Sequence, residues 1–204
     1  KAVFWFLSFL LSAVGAHASV QQAYLVQNSG WMEPFYTDPQ SQFKPLVAAV
    51  ANATSHADDT VFLLAFNQSN GANVSPQLVY EGKGAASIDK ALSGINLAKK
   101  GSGSALADTD FKEAVTQTIT GPFKASPGII WIFTNNKNSP NNDVQTAERN
   151  LEFYRLLHLE PSIVKTIVFP LRMEVQGNSY HAKGLMVYGL AYGQAAATAL
   201  DDIL

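Results

Sequence analysis

Three polar stretches of the sequence contain the residue types that could do chemistry or bind a partner. They are Gln27 to Met32, Ala107 to Asp110, and Thr134 to Lys137. They carry hydroxyls and carboxamides, which donate and accept hydrogen bonds, together with two aspartates and one tryptophan. An indole in an exposed loop suits a protein-binding anchor, because it buries much apolar area at low entropic cost. These stretches are therefore the candidate functional residues.

Apolar runs place two of these stretches at the ends of predicted strands. Ala23 to Val26 is predicted to form a short strand that stops at the polar turn beginning with Gln27, and a helical pattern follows from about Gln40. Gly128 to Phe133 is another buried run, which ends directly before Thr134. A strand, a Ser-Gly loop and a helix in succession open a parallel α/β sheet, whose ligands lie at the carboxyl ends of the strands. The three stretches are expected to converge at that edge.

The alternation of apolar runs and helical patterns predicts one α/β domain over residues 19–204. We expect a doubly wound, mostly parallel, Rossmann-like sheet with helices on both faces. The predicted main strands are Tyr24–Gln27, Val61–Phe66, Ile129–Phe133, Ile163–Phe169 and Leu185–Tyr192. The predicted helices span about residues 39–55, 87–95, 110–120 and 144–159, with a last helix running to Leu204. The residues expected to be almost fully buried are Leu63, Ile130, Ile132 and Val168.

The three stretches together resemble the von Willebrand factor type A (vWA) family. In that family the first strand ends in D-x-S-G-S-M. The second loop carries a threonine within a sequence similar to G-G-T-D-F, and the fourth strand ends in T-D-G. This chain has Gln27-Asn28-Ser29-Gly30-Trp31-Met32, then Asp108-Thr109-Asp110-Phe111, then Thr134-Asn135-Asn136. The resemblance covers about residues 21–204 and implies a vWA-like fold. It also implies that these loops correspond to a metal-ion-dependent adhesion site.

The residues that the resemblance assigns to this metal site are only partly present. Ser29 and Thr109 match the family's hydroxyl ligands. Gln27 replaces the first aspartate, Trp31 replaces the second serine, and Asn135 replaces the later aspartate. Hard cations such as Mg²⁺ need carboxylate charge and near-octahedral oxygen geometry, which neutral amides and an indole do not supply. We therefore predict a degenerate site with no metal and no cofactor; any metal that did bind would be held by Ser29 and Thr109.

The expected function is non-enzymatic protein–protein interaction through this loop edge, without a bridging metal. The predicted partner-binding residues are Gln27, Asn28, Ser29, Trp31, Thr109, Asn135 and Asn136. Trp31 has two alternative roles, as an anchor for the partner or as a filler of the space left by the absent metal. A metal-dependent adhesion domain with unusual ligands is a second hypothesis. An α/β hydrolase-like enzyme using Ser29, His181 and Asp38 is a third, supported by residue type alone.

Composition narrows the class of protein further. The chain has 204 residues, of which 47% are hydrophobic and 15% charged, as suits one domain with a sizeable core. Its formal charge of -2 does not indicate a nucleic-acid-binding surface, so no nucleic-acid partner is predicted. The sequence contains no cysteine, which excludes disulfides, thiolate catalysis and cysteine-based zinc sites.

The N-terminal residues 1–18 have the pattern of a secretory signal. Lys1 precedes the apolar run Ala2 to Leu11, and Ala16-His17-Ala18 has the small-x-small form of a signal-peptidase site. The run is shorter than the roughly 20 apolar residues that span a membrane. We interpret this segment as a cleaved signal, with an uncleaved membrane anchor as the alternative. The protein is therefore expected to be exported to the periplasm, cell envelope or extracellular space, and to have a protein partner in an assembly there.

The C-terminal end of the sequence bears on how much of the protein the chain represents. The last residues continue a helical pattern up to Leu204, and the first residue is not methionine. Both features favour a piece of a longer protein.

Overall fold

The computed structural model describes residues 19–70, 74–101, 103–137 and 144–204. The predicted signal at residues 1–18 lies outside the described residues. The strands are β1 (Gln21–Gln27), β2 (Thr60–Phe66), β3 (Gln77–Lys83), β4 (Gly128–Thr134), β5 (Ile163–Gln176) and β6 (His181–Tyr192). The helices are α1 (Glu33–Thr37), α2 (Phe43–Thr54), α3 (Ile88–Ser93), α4 (Phe111–Thr120), α5 (Val144–Leu159) and α6 (Gln194–Ile203), with a 3₁₀ turn at Gly30–Met32.

The strands form one six-stranded sheet in the order β3-β2-β1-β4-β6-β5. β1 pairs in parallel with both β2 and β4, whereas β2–β3, β4–β6 and β5–β6 are antiparallel. The α/β class is thus confirmed, but the prediction of a mostly parallel sheet is wrong. The reason lies in the connections: β5 reaches β6 through a turn at residues 177–180, and strands joined by so short a turn pair antiparallel.

Helices cover both faces of the sheet, and the sheet separates the hydrophobic core into two clusters. On one face, Phe43 and Val47 of α2, Ile88 of α3 and Leu200 of α6 pack against the sheet. On the other face, Phe111 and Val115 of α4 and Phe153 of α5 do so. β1, β2 and β4 are buried along almost their whole length, which explains their continuous apolar runs.

Local side-chain bonds set two helix starts. α4 begins where the sequence predicts, because the Asp110 carboxylate accepts a hydrogen bond from the Glu113 N–H at 2.9 Å, an N-cap. α2 begins only at Phe43 rather than near Pro39. The Asp38 carboxylate there accepts from the Gln40 N–H at 2.8 Å, which holds residues 38–41 in a turn instead of a helix.

The burial of side chains in the central strands agrees with the prediction from the sequence, but the burial of side chains in β5 does not. Leu63, Ile130 and Ile132 are at most 1% exposed, as predicted. Val168 is 43% exposed, so the expectation that it is buried is wrong. β5 is the outermost strand and pairs only with β6, and alternate residues along it lie on a face that carries little helix cover.

We expect substitution by alanine to lower the free energy of unfolding much more for an aliphatic residue in a central strand than for one in the edge strand β5. Ile130→Ala should lower the free energy of unfolding by about 2–5 kcal/mol, because it leaves a cavity in a packed core. Val168→Ala should cost less than about 1 kcal/mol, because the side chain is already partly in water. Urea denaturation of both variants measures the difference, and equal losses would contradict the described sheet order.

Candidate functional site

The three polar stretches meet at the carboxyl ends of β1, β2 and β4, as predicted. The Gly30 N–H donates to the Ala107 carbonyl at 2.8 Å, which joins the first stretch to the second. A Cβ added to Gly30 would lie 2.9 Å from the Leu106 Cβ, so only glycine permits this close approach. The Asn28 N–H donates to the Phe66 carbonyl at 2.9 Å and ties the same loop to the end of β2.

A buried cluster of neutral side chains lies where the stretches meet. We call it the amide centre, and it consists of Gln27, Ser29, Thr109 and Thr134, each 0% exposed. The Gln27 Nε2 donates to the Ser29 Oγ at 2.7 Å and to the Thr109 Oγ1 at 2.8 Å, with a longer contact of 3.1 Å to the Lys137 carbonyl. The Thr134 hydroxyl donates to the Gln27 Oε1, and the Thr109 hydroxyl donates to the Ser29 Oγ at 2.5 Å. The Gln27 carboxamide therefore links all three loops.

The donor set of the amide centre does not fit a metal ion. The Ser29 and Thr109 oxygens, which the vWA resemblance assigns as ligands, accept N–H bonds from Gln27 instead. The nearby carboxylates have other partners: one oxygen of Asp108 pairs with the Lys100 ammonium at 2.7 Å, and Asp110 caps α4. The second Asp108 oxygen, Oδ1, is buried and has no hydrogen-bond partner among the described residues. Within the described residues, no group of three or more His, Cys, Asp or Glu side chains could hold a metal. The arrangement is a closed hydrogen-bond network without formal charge.

Above the amide centre lies a more accessible group, the aromatic cluster of Trp31, Tyr180 and Lys137. The two rings are half-buried and meet edge to face, with centroids 5.3 Å apart and an interplanar angle of 77°. The Lys137 Nζ lies 4.0 Å from the Trp31 ring centroid and 5.1 Å from that of Tyr180. These are cation–π distances, and the lysine itself is exposed.

Asn135 holds the aromatic cluster to the sheet, whereas the side chain of Asn136 bonds Tyr188 and Tyr154. The Asn135 Nδ2 donates to the Trp31 carbonyl at 2.5 Å and to the Tyr180 hydroxyl at 2.9 Å, and the Tyr180 hydroxyl also donates to the Trp31 carbonyl. Asn136 has a positive φ of 63°, which asparagine tolerates better than most residues. Its Oδ1 accepts from the Tyr188 hydroxyl at 2.9 Å, and burial raises the pKa of that tyrosine. The phenol therefore remains a neutral donor.

Glu33 fixes the β5–β6 turn, and with it Tyr180, against the first loop. Its buried carboxylate accepts from the Asn178 N–H at 2.9 Å, the Thr37 hydroxyl at 2.8 Å and the Ser179 N–H at 3.3 Å. Burial alone would raise the pKa of Glu33, but these hydrogen bonds outweigh it and lower the pKa below the usual glutamate value. A Cβ at Gly177 would collide with the Glu33 carboxylate, so the turn also requires glycine there.

The seven predicted partner-binding residues fall into two groups. Gln27, Ser29 and Thr109 are fully buried in the amide centre, and Asn28 is only 7% exposed. Trp31, Asn135 and Asn136 are half-buried and reach the surface. Of the two roles considered for Trp31, the structure gives the space beside Ser29 and Thr109 to the Gln27 amide rather than to the indole.

Asn28 borders a neighbouring cleft instead of the aromatic cluster. The cleft has a volume of about 730 Å³ and lies between the start of β3 and residues 94–99. The Asn28 Nδ2 donates to the Asn96 carbonyl at 2.9 Å, and its Oδ1 accepts from the Asn67 Nδ2 at 3.1 Å. Asn28 therefore serves to join the ends of β1 and β2 to the following loop.

The hydrolase hypothesis finds no matching geometry. The Ser29 hydroxyl bonds Gln27 and Thr109 inside the amide centre. The Asp38 carboxylate accepts from the Gln176 N–H at 2.6 Å, and His181 is exposed at the start of β6. Among the described residues no hydrogen bond joins Ser29 to His181, although a nucleophile needs its base within such reach.

Sequence reasoning missed two residues that shape this site, Tyr180 and Glu33. Tyr180 lies 149 positions from Trp31 in the sequence, so no local motif connects them. The Gly177-Asn178-Ser179 turn signal before β6 and the carboxylate of Glu33 directly after the first loop were the available hints.

Comparisons with protein-family models, with curated proteins and with solved structures give no match. A search of the described residues for a helix long and apolar enough to cross a membrane finds no candidate. The functional argument therefore depends on the geometry of the loop edge.

We expect the amide centre to contribute strongly to stability. Gln27→Met keeps the length of the side chain but leaves several buried hydroxyls short of a partner, each costing about 1–3 kcal/mol when unsatisfied. Urea denaturation should show a loss of more than about 2 kcal/mol. Gln42→Met is the matched control, because Gln42 is exposed and makes only a 3.3 Å contact to the Gln40 carbonyl. A similar small loss in both variants would contradict the network.

We also expect stability to depend on the Glu33 carboxylate at acid pH. Its folded pKa is lowered, so its contribution is complete above the unfolded pKa of about 4.3 and disappears as the pH falls through the folded value. Wild type should therefore be more stable than Glu33→Gln at neutral pH, and the gap should close at acid pH. Measuring the free energy of unfolding of both proteins between neutral and acid pH tests this; a gap that stays constant contradicts it.

Proposed function

We propose that the protein is a non-enzymatic interaction module that binds another protein through its loop edge without a bridging metal. The observation that carries this proposal is the two-layer arrangement of the edge. The lower layer is the amide centre, whose polar atoms bond one another. The upper layer is the aromatic cluster, which is accessible and combines an indole, a phenol and an ammonium group. Exposed aromatic side chains on a rigid support are typical anchors of protein interfaces.

The support beneath the cluster suits binding rather than chemistry. Asn135 and Glu33 hold the Trp31 loop and the Tyr180 turn in one arrangement, so little conformational freedom is lost when a partner docks. The loop edge carries no nucleophile paired with a base among the described residues. These features favour a preformed recognition surface.

We propose further that the domain is a vWA-like module whose adhesion site is degenerate. Support comes from the sequence text of the three loops and from the side-by-side hydroxyls of Ser29 and Thr109. The antiparallel β5–β6 pair departs from the doubly wound, mostly parallel sheet that the alternation of apolar runs and helical patterns predicted. The signal-like residues 1–18 support export, and so a partner in the cell envelope or an extracellular assembly.

We expect a photocrosslinker at the loop edge to capture a partner in cells that naturally produce the protein. A benzoylphenylalanine replacing exposed Ser179, next to Tyr180, should give one discrete adduct that persists after EDTA treatment. The matched control replaces exposed Asp58, which precedes β2 at the opposite edge of the sheet and should give no such adduct.

Substitution of the indole completes this test. Trp31→Leu should reduce the Ser179 adduct severalfold, because it removes the aromatic anchor. The thermal midpoint of each variant reports whether the loop still folds. Loss of the adduct on chelation, or equal adducts from Ser179 and Asp58, would contradict the proposal.

A further inference from the structure

The loop edge has a marked imbalance between its engaged and its unengaged charges. Its carboxylates accept from backbone N–H groups or pair with a lysine. Four accept hydrogen bonds from backbone N–H groups: Glu33 from Asn178, Asp38 from Gln176, Asp110 from Glu113, and Glu113 from Ser69. The fifth, Asp108, forms an ion pair with Lys100. Their oxygens therefore have local partners, apart from the buried Asp108 Oδ1, but of these five carboxylates only Asp108 is paired with a cation.

Lys137 is different from these groups. Within the described part of the chain, its ammonium forms no ion pair and no hydrogen bond, and its contacts are the faces of Trp31 and Tyr180. A lysine ammonium has three N–H donors, and a ring face does not satisfy them as an oxygen does. The cluster thus presents a positive charge whose hydrogen-bonding capacity remains open.

The rings also hold this charge in place. An unsupported lysine samples many rotamers, and binding must then restrict them at an entropic cost. Contact with two rings at 4.0 and 5.1 Å restricts the ammonium in advance. The rings are themselves fixed, because Asn135 bonds both the Trp31 carbonyl and the Tyr180 hydroxyl. The ammonium is therefore a preorganised donor.

We propose that the partner inserts an aspartate or glutamate side chain that pairs with Lys137 over the aromatic cluster. This inference rests on the proposed function and specifies the partner's chemistry. A carboxylate matches one ammonium in charge and accepts its N–H donors. A phosphate would carry more charge than one lysine neutralises, and the cluster contains no arginine to grip it. The apolar stem of the acidic residue would contact the half-buried indole.

Charge variants in the Ser179 crosslinking assay test this pairing. Lys137→Arg should keep the adduct, Lys137→Gln should lower its yield about tenfold, equivalent to about 1.4 kcal/mol, and Lys137→Glu should abolish it. Raising the salt concentration should weaken capture by wild type and leave capture by Lys137→Gln nearly unchanged. The matched control is Lys90→Glu, since Lys90 is exposed on α3, and it should behave like wild type.

The outcomes separate this inference from the proposed function. An adduct that persists equally in Lys137→Gln and Lys137→Glu overturns the acidic-partner inference and leaves the interaction module standing. An absent Ser179 adduct contradicts the proposed function.

The inference is also tested directly on the purified protein by nuclear magnetic resonance. An acetylated hexaglutamate amide peptide should shift the Trp31 indole signal in wild type and not in Lys137→Gln. A shift caused instead by the corresponding hexalysine peptide would mean that the rings prefer an incoming cation to Lys137, and would overturn the proposal. No shift with either peptide would also overturn it.

Discussion

The hydrogen bonds of the Gln27 carboxamide are the interaction on which the loop edge depends. One side chain at the end of β1 donates into the second loop and accepts from the end of β4, so it sets the spacing of three segments that are far apart in sequence. A neutral amide with satisfied bonds is much less costly to bury than a group of carboxylates without a counter-ion. The edge can therefore keep its shape without an ion.

A second layer of organisation comes from the β5–β6 hairpin. Its strands pair with each other beyond the end of β4, as far as Gln176 and His181. This length brings the turn over the loop that follows β1, where Glu33 and Asp38 bind its backbone. The aromatic cluster is thus assembled from residues near the N-terminal and the C-terminal parts of the sequence. The geometry of the cluster therefore depends on the pairing of β5 with β6 as well as on the loops that carry Trp31 and Lys137.

The parts of the fold that were predictable are those with a local signal. β2 and β4 are continuous apolar runs, as expected of strands whose two faces are both covered. Asp110 followed by Glu113 three residues later predicts the start of α4, where Asp110 forms the N-cap. Val168 was wrongly predicted by the same reasoning: its run is interrupted by Lys165 and Thr166, and burial there depends on lateral neighbours that β5 lacks at the sheet edge. The direction of β6 had a local signal in the Gly177-Asn178-Ser179 turn, which the prediction of a mostly parallel sheet overlooked. The Trp31–Tyr180 contact is a long-range property, which spacing in the sequence does not encode.

The position of β5 at the sheet edge bears on how the protein avoids unwanted association. A 14-residue edge strand with exposed apolar side chains offers a template onto which further strands can add. Pro170 lies in the middle of this strand and has no N–H to donate, and the charged Lys165, Arg172 and Glu174 are spaced along its length. These residues discourage sheet extension and so limit amyloid-like aggregation at high local concentration.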